Sequence, residues 1–288
     1  MRRLAILGLA GSATLAAGVQ SGTDRDVRAW MARAADRVQA YYARAQRIIC
    51  EETVRLEPLG PDLMRNDGHV RELVYELRVS WDQAEAGSGA PPEATVLRQL
   101  LKVDGRPSRP GDEPGCFDPP AASPAPLNML LPHRQAEFVF SWGRAGREGD
   151  RRAVAIDYKP VRPGKPVLEP KGEHCFSIEL PGRSRGRLWL DEATGDVLRL
   201  DEHLSGQVDV PVPPRSREPF APLSITVERA DSSIVYAPVA FHDPEETLLL
   251  PASIVSLQVI RPSGVPRLRI SQRFSNYRRF ITGGRVVQ

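Results

Sequence analysis

Side chains able to do chemistry are few and poorly grouped in this sequence. The five histidines, His69, His133, His174, His203 and His242, fall in no zinc-type spacing with one another or with the three cysteines. Glu173-His174-Cys175 with His203 is the grouping from which a metal site could be drawn. It reads more simply as a strand start and a strand end with solvated imidazoles. His174 beside Cys175 is no base–nucleophile pair, because neighbours on a strand point to opposite faces. Asp112-Glu113 and Glu245-Glu246 sit in turn-like stretches and read as solvated carboxylates rather than a general acid and base. Neither a Gly-x-Ser-x-Gly nor a phosphate-cradling glycine loop occurs. Trp189 beside Arg187 and Arg199 could hold an anion or a sugar face. It reads more simply as a cross-strand ladder that satisfies itself. The expectation is no catalytic residue, no metal ligand and no cofactor.

What remains is apolar surface. Leu73, Tyr75, Leu77, Trp81, Phe138, Phe140, Leu188, Leu190, Leu257 and Ile270, with Trp30, Val38 and Tyr41 from a helix, could line a dry groove. Such a groove would shelter an acyl chain or another apolar group, at about 0.8 kcal/mol for each methylene removed from water. An ordinary filled core would use the same residues. The alternative is a cell-envelope interaction or scaffold module with no small-molecule ligand, working through polar strand faces and Pro-rich loops.

The stretch that must position these residues is Gly186 to Glu202, GRLWLDEATGDVLRLDE. It reads as a β-hairpin whose loop is Ala193-Thr194-Gly195, with Gly195 left-handed. That register sets Glu192 beside Asp196, Leu190 opposite Leu198 and Leu188 opposite Leu200. On the other face it pairs Trp189 with Arg199 as a cation–π contact and Arg187 with Asp201 as an ion pair.

Ahead of the hairpin, Asp24 to Ile49 has a helical stripe in Val27, Trp30, Met31, Ala34, Val38, Tyr41, Tyr42, Ala45 and Ile48. Thr23 and Asp26 resemble a capping box at its start. Strands follow over Glu51 to Glu57, Val70 to Asp82 and Thr95 to Asp104. Leu73, Tyr75, Leu77, Val79 and Trp81 share one face of the second, which is the period of a half-buried antiparallel strand. Gln83 to Glu93 connects, and Arg106 to Ser123 is a Pro-rich loop. Pro124 to Leu131 is a short apolar helix stopped by Pro132. Glu137 to Trp142, Arg152 to Tyr158 and Cys175 to Leu180 alternate, with Gly143 to Asp150 as a hairpin tip and Lys159 to Gly172 as a connection. Beyond the hairpin, Ser205 to Pro222 reads as a long loop, and the last strands are Leu223 to Glu228, Ser233 to Phe241, Glu246 to Ile260 and Leu268 to Tyr277.

About eleven or twelve strands in one sheet must curl. The expected fold is mainly β (α+β): a single wide antiparallel sheet curled into a half-open barrel, with one long N-terminal helix and one short helix on the concave face.

Met1-Arg2-Arg3, the small apolar run Leu4 to Ala17 and Val19-Gln20-Ser21 read as a signal peptide over 1–21. The other reading is an uncleaved anchor. The formal charge of +3 falls to +1 without Arg2 and Arg3. With no basic run longer than a pair, nothing resembles a nucleic-acid footprint. No later stretch has the length of a membrane span, so the mature chain is expected to be soluble, in the periplasm or secreted. The domain expected is 22–280, with a frayed tail over 281–288. In an oxidising compartment Cys116, in a Pro/Gly loop, and Cys175, at a strand start, are the favoured disulfide, although spacing alone leaves three pairings open. That bond would contribute about 4 kcal/mol. Cys50 reads as a buried free thiol.

The order of elements resembles the bacterial periplasmic lipoprotein carriers and their outer-membrane acceptor, the LolA/LolB-like half-barrel group. GRLWLDEATGDVLRLD, Gly186 to Asp201, carries the likeness most directly. VYAPVAF (Val235 to Phe241), LLLPASIVSLQV (Leu248 to Val259) and FSNYRRF (Phe274 to Phe280) are similar to strand endings of exported relatives with no assigned activity. The resemblance implies a signal peptide, an N-terminal helix, about eleven antiparallel strands and short helices acting as a lid. It also implies a lipid or lipoprotein as partner, with an envelope protein as the other candidate. The functional residues of the carriers do not map onto this sequence.

Overall fold

The computed structural model describes residues 21–45, 47–81, 94–112, 115–117, 119, 125–171, 175–213, 222–242, 244–261 and 267–279. All but the last residue of the leader expected over 1–21, the 83–93 connection and the tail over 281–288 therefore lie outside the described residues.

A helix, α1 (Ser21–Arg44), leads into a long series of strands. They are β1 (Ile48–Pro58), β2 (Arg71–Trp81), β3 (Ala94–Val103), β4 (Arg106–Pro107), β5 (Phe138–Trp142), β6 (Gly146–Glu148), β7 (Arg151–Pro160), β8 (Val167–Lys171) and β9 (Cys175–Glu179). The series continues with β10 (Ser184–Asp191), β11 (Val197–Leu204), β12 (Val208–Pro211), β13 (Ser224–His242), β14 (Glu245–Arg261) and β15 (Leu268–Arg279). Thirteen strands form one antiparallel sheet in the order β4-β3-β2-β1-β15-β14-β13-β11-β10-β7-β5, with β12 on β13 and β6 on β7. Its two ends do not pair, so the sheet is not closed into a barrel. β8 and β9 form a separate two-stranded sheet.

Several expectations are corrected. The helix stops at Arg44, and Ile48-Ile49-Cys50 open β1 instead. Arg47, with φ 57°, turns the chain, and the β-branched isoleucines then favour extended backbone. Ser205 to Pro222 is not all loop. Val208 and Val210 are buried and alternate with exposed residues as β12, on the edge that the first half of β13 offers. The two strands expected on either side of residue 230 are one, β13, paired along its length with β14. The apolar helix expected after Pro124 is a 3₁₀ turn, Ala125–Leu130. Short strands also occupy the expected hairpin tip (β6) and the connection after Lys159 (β8).

The organising hairpin forms, with a different turn. Arg187 pairs with Asp201, Leu188 with Leu200 and Trp189 with Arg199, but Leu190 faces Val197 and a bulge takes up Leu198. Asp191 is the cause. Its carboxylate accepts the backbone N–H groups of Ala193 and Thr194, each at 2.8 Å, and its carbonyl accepts that of Gly195. The loop is thereby one residue longer, closed by the Asp191 N–H to the Asp196 carbonyl. Gly195 is left-handed as expected, at φ 79°. Glu192 and Asp196 do not oppose each other; Arg152 and Arg37 neutralise them separately.

Packing falls into layers. α1 and the 3₁₀ turn cover β7, β10, β11 and β13 through Val27, Met31, Ala34, Val38 and Leu130 against Ile156, Leu188, Leu190, Leu200 and Ile234. A second layer lies on β1, β2, β3 and β15, where Val54, Leu56, Leu73, Tyr75 and Val103 are buried. Among these apolar neighbours sits Glu52, fully buried, accepting from Arg98 at 2.8 Å and from Gln272 at 2.7 Å. The Arg98 guanidinium also lies 3.7 Å from the Tyr75 ring centroid and donates to the Pro119 carbonyl at 2.9 Å. It thus fastens the Pro-rich segment to the sheet. A disulfide joins that segment, at Cys116, to the start of β9 at Cys175. Cys50 is a buried free thiol, its pKa pushed up to about 12 by burial and by the nearby Glu52 charge.

Breaking a buried ion pair from one side leaves a charge stranded. Arg98→Met should therefore lower the unfolding free energy in urea by about 3–5 kcal/mol, and the double variant Glu52→Leu/Arg98→Met should recover most of that loss.

Candidate functional site

The candidate site is the layer between α1 and the sheet, built from the periodicities of a helix and of strands meeting face to face. The 3.6-residue repeat of α1 brings Val27, Met31, Ala34, Val38 and Tyr42 to one side, all buried, with Trp30 and Tyr41 partly buried beside them. The two-residue repeat of β7 and β10 brings up Val154, Ile156 and Tyr158, and Leu188 and Leu190. Phe138 and Phe140 on β5 close one end, packed against Tyr158 with ring centroids 6.1 and 6.5 Å away.

The rim of this layer is polar. Arg37 grips Asp196 through two bonds, of 2.5 and 2.9 Å. Burial alone would raise the Asp196 pKa, but the Arg37 and Thr194 hydrogen bonds hold it below the usual carboxylate range. Arg33 donates to the Glu192 and Ala193 carbonyls. A Cβ at Gly195 would stand 2.8 Å from the Arg33 side chain, so the turn glycine also lets the helix approach. At the other end Arg44 donates to Glu246 at 2.9 Å, and Arg279 donates to the Arg44 carbonyl at 2.9 Å and to Glu246.

Polar groups also enter the layer itself. The Tyr158 hydroxyl donates to Glu202 at 2.9 Å, passing over Gly186. A Cβ there would lie 2.5 Å from that hydroxyl and 2.2 Å from the Asp201 carbonyl. Desolvation raises the Glu202 pKa, although Tyr158 and His203 oppose the shift. Tyr42 donates to Asn128, and Gln135 donates to the Met31 and Leu130 carbonyls at 3.1 and 2.8 Å.

The structure distributes the residues singled out as groove lining over both layers. Trp30, Val38, Tyr41, Phe138, Phe140, Leu188 and Leu190 meet under α1. Leu73, Tyr75, Leu77 and Ile270 lie in the packing of β1, β2, β3 and β15. Leu257 stands in register between Asp231 and Arg269 on the charged face of the sheet. Trp81 ends β2, and its side chain lies outside the described atoms.

On that charged face the expected pairs change partners. Arg187 lies over Trp189 with its guanidinium 5.8 Å from the ring centroid, and it binds Asp157 at 2.6 Å rather than Asp201. Asp201 instead accepts from Arg199 at 2.8 Å, Ser233 at 2.7 Å and Trp189 at 3.4 Å. Cys175 is spent in the disulfide, and His174 lies outside the described residues.

Sequence spacing does not point to Glu52 or Glu202. Their signal was phase: each occupies a strand position in step with buried leucines or valines, Val54 and Leu56 for one and Leu200 for the other.

Comparison with solved structures finds several that are similar to this chain at low identity. A DUF1329 family protein from Desulfovibrio piger matches over 90% of this chain and 95% of its own, at 9% identity and a TM-score of 0.43. A LolA superfamily protein from Nitrosomonas europaea matches over 90% and 96%, at 6% identity and a TM-score of 0.36. A chain of the Pseudomonas aeruginosa MucA/MucB complex matches over 88% and 99%, at 13% identity and a TM-score of 0.22. No protein-family model matches the chain, and no curated protein matches it in sequence. No described helix is long and apolar enough to cross a membrane.

Burial makes the charged form of Glu202 costly. A carboxyl whose folded pKa is raised adds stability that is complete below its unfolded pKa and is lost as pH rises through the folded value. Glu202→Gln should therefore stabilise the protein at neutral pH, and that advantage should vanish below about pH 4. Urea unfolding across that range measures it.

Proposed function

We propose that this chain is an exported, non-catalytic binding protein that shelters an apolar group, a lipid or a lipoprotein acyl chain, between α1 and the sheet. The reading includes a leader over 1–21, a single working domain over 22–280 and a tail over 281–288. It includes a periplasmic or secreted destination, which the disulfide fits. It also includes a sheet bent into a half-open barrel, with α1 and the 3₁₀ turn Ala125–Leu130 on the hollow side as a lid.

The observation that carries this reading is the way α1 is held. Its inner face makes apolar contacts, and its rim makes ion pairs such as Arg37–Asp196 and Arg44–Glu246, whose arginines are 43% exposed. Exposed pairs of that kind contribute about 0–1 kcal/mol each. The lid is therefore kept down mainly by apolar burial, and an acyl chain can replace that like for like, at about 0.8 kcal/mol per methylene. Trp30, Val38, Tyr41, Phe138, Phe140, Leu188 and Leu190 would be the first residues met. Leu73, Tyr75, Leu77, Trp81 and Ile270 would contribute only if the chain ran on across the sheet, and Leu257, on the charged face, would not line the groove.

A second reading, an interaction module at the cell envelope, is favoured by the sheet's edges. Leu97 on β3 is 62% exposed, and Val139 and Trp142 on β5 are 46% and 43% exposed. Strands at a sheet edge that carry apolar side chains are ready to pair with another chain.

Titrating a fluorescent fatty acid into the mature chain separates the two. Carriage predicts saturable uptake, displacement by an unlabelled acyl chain, and faster uptake by Arg37→Ala/Arg44→Ala, with lipid co-purifying in native mass spectrometry. Absence of both uptake and co-purified lipid would leave the interaction module standing.

A further inference from the structure

The face of the sheet turned away from α1 carries a cleft of about 590 Å³ over β5, β7, β10 and β11. Two rows of side chains cross its floor. In one, Ser141, Asp157, Arg187, Asp201 and Ser233 follow one another strand by strand, with opposite charges alternating. Arg187 holds Asp157 with bonds of 2.6 and 3.0 Å, and Asp201 is filled by Arg199, Ser233 and Trp189.

The neighbouring row is different. Val139 is opposite Lys159, and Arg185 is opposite His203. One step beyond the Gly186–Tyr158 pair, Arg185 comes beside Lys159. Lys159, Arg185 and His203 thus stand on three adjacent strands of one face, all lining the cleft. His203 leans on Asp231 through Nδ1 at 3.4 Å. Lys159 and Arg185 have no ion partner among the described residues. Like charges opposed across strands are destabilising, and the adjoining row avoids the conflict by alternation. The two carboxylates that line the cleft, Asp157 and Asp201, are already engaged and do not neutralise this row.

We propose that this cleft binds a phosphate ester. The three residues span two strand spacings, about 10 Å, which long side chains close by converging on one group. A phosphomonoester brings up to two charges and three free acceptor oxygens. It can take donors from a guanidinium, an ammonium and an imidazole together, and from the Ser141 hydroxyl at the cleft's edge. A carboxylate offers one charge in one plane and matches a single arginine. Trp189 and Val139 give the ester's carbon side a surface to lie on. This site is on the opposite face from the acyl layer, and neither depends on the other.

Calorimetric titration with glycerol phosphate, and co-sedimentation with phosphatidylcholine vesicles with and without phosphatidic acid, test the proposal at low salt. Saturable binding should weaken about tenfold or more in Lys159→Ala/Arg185→Ala, while Lys102→Ala, which removes an exposed cation on β3, should bind as wild type. Circular dichroism confirms that each variant is folded. Binding of the soluble ester with that pattern supports the site. Binding only to phosphatidic acid vesicles, with the same pattern, supports it and assigns the phosphate to a lipid headgroup. Failure of both probes to bind, or an equal loss in Lys102→Ala, overturns it. Failure of fatty acid uptake bears only on the α1 layer.

Discussion

Burial of the apolar stripe of α1 against Leu188, Leu190 and Leu200 is the contact on which the rest of the architecture depends. A sheet of thirteen strands has two broad faces, and neither can be left greasy in water. α1 covers the greasy face where β7, β10, β11 and β13 run side by side, with the 3₁₀ turn Ala125–Leu130 beside it. Without that cover four strands would present leucine and isoleucine side chains to solvent. The hairpin of β10 and β11 matters because it supplies both the floor and, through its turn, the latch. Leu188 and Leu190 lie under the helix, and Asp196 and the Ala193 carbonyl reach its arginines.

The two halves of the sheet solve the burial problem by different means. Under α1 the packing is nearly all apolar, relieved by Glu202 on Tyr158 and by Asn128 on Tyr42. On β1, β2, β3 and β15 a full charge, Glu52, is buried and matched by Arg98 and Gln272. Burying an ion pair gains little net stability compared with apolar side chains of the same volume, but it is costly to satisfy in any other way. It therefore specifies where Arg98, and with it the Pro119 carbonyl and the disulfide-bonded segment, must sit. One half of the sheet is covered by α1 through apolar contacts and exposed ion pairs, and the other holds a specific buried polar network.

The sequence by itself determined the class and much of the plan. Strict alternation in VRELVYELRVSW, the helical stripe from Val27 to Tyr42 and the glycine turn at Gly195 are local patterns, written within a dozen or two dozen residues. They led to a wide antiparallel sheet, an N-terminal helix and a central hairpin, and to Cys116 with Cys175 as the favoured disulfide. Local pattern did not reveal partners chosen at long range. Asp191 lengthened the turn because its carboxylate found two backbone N–H groups, and Arg187 chose Asp157 on β7 over the Asp201 paired with it in the hairpin. Residues 208–211 became a strand because β13 runs on past β11 and leaves an edge for them to join. The candidate lining was divided between two layers, and Leu257 was turned to the charged face, because alternation states that side chains take opposite sides without saying which side the helix will cover. Period is a property of the chain alone. The choice of face, of ion partner and of the cationic row at Lys159, Arg185 and His203 belongs to strands far apart in sequence, and only their assembly into one sheet decided it.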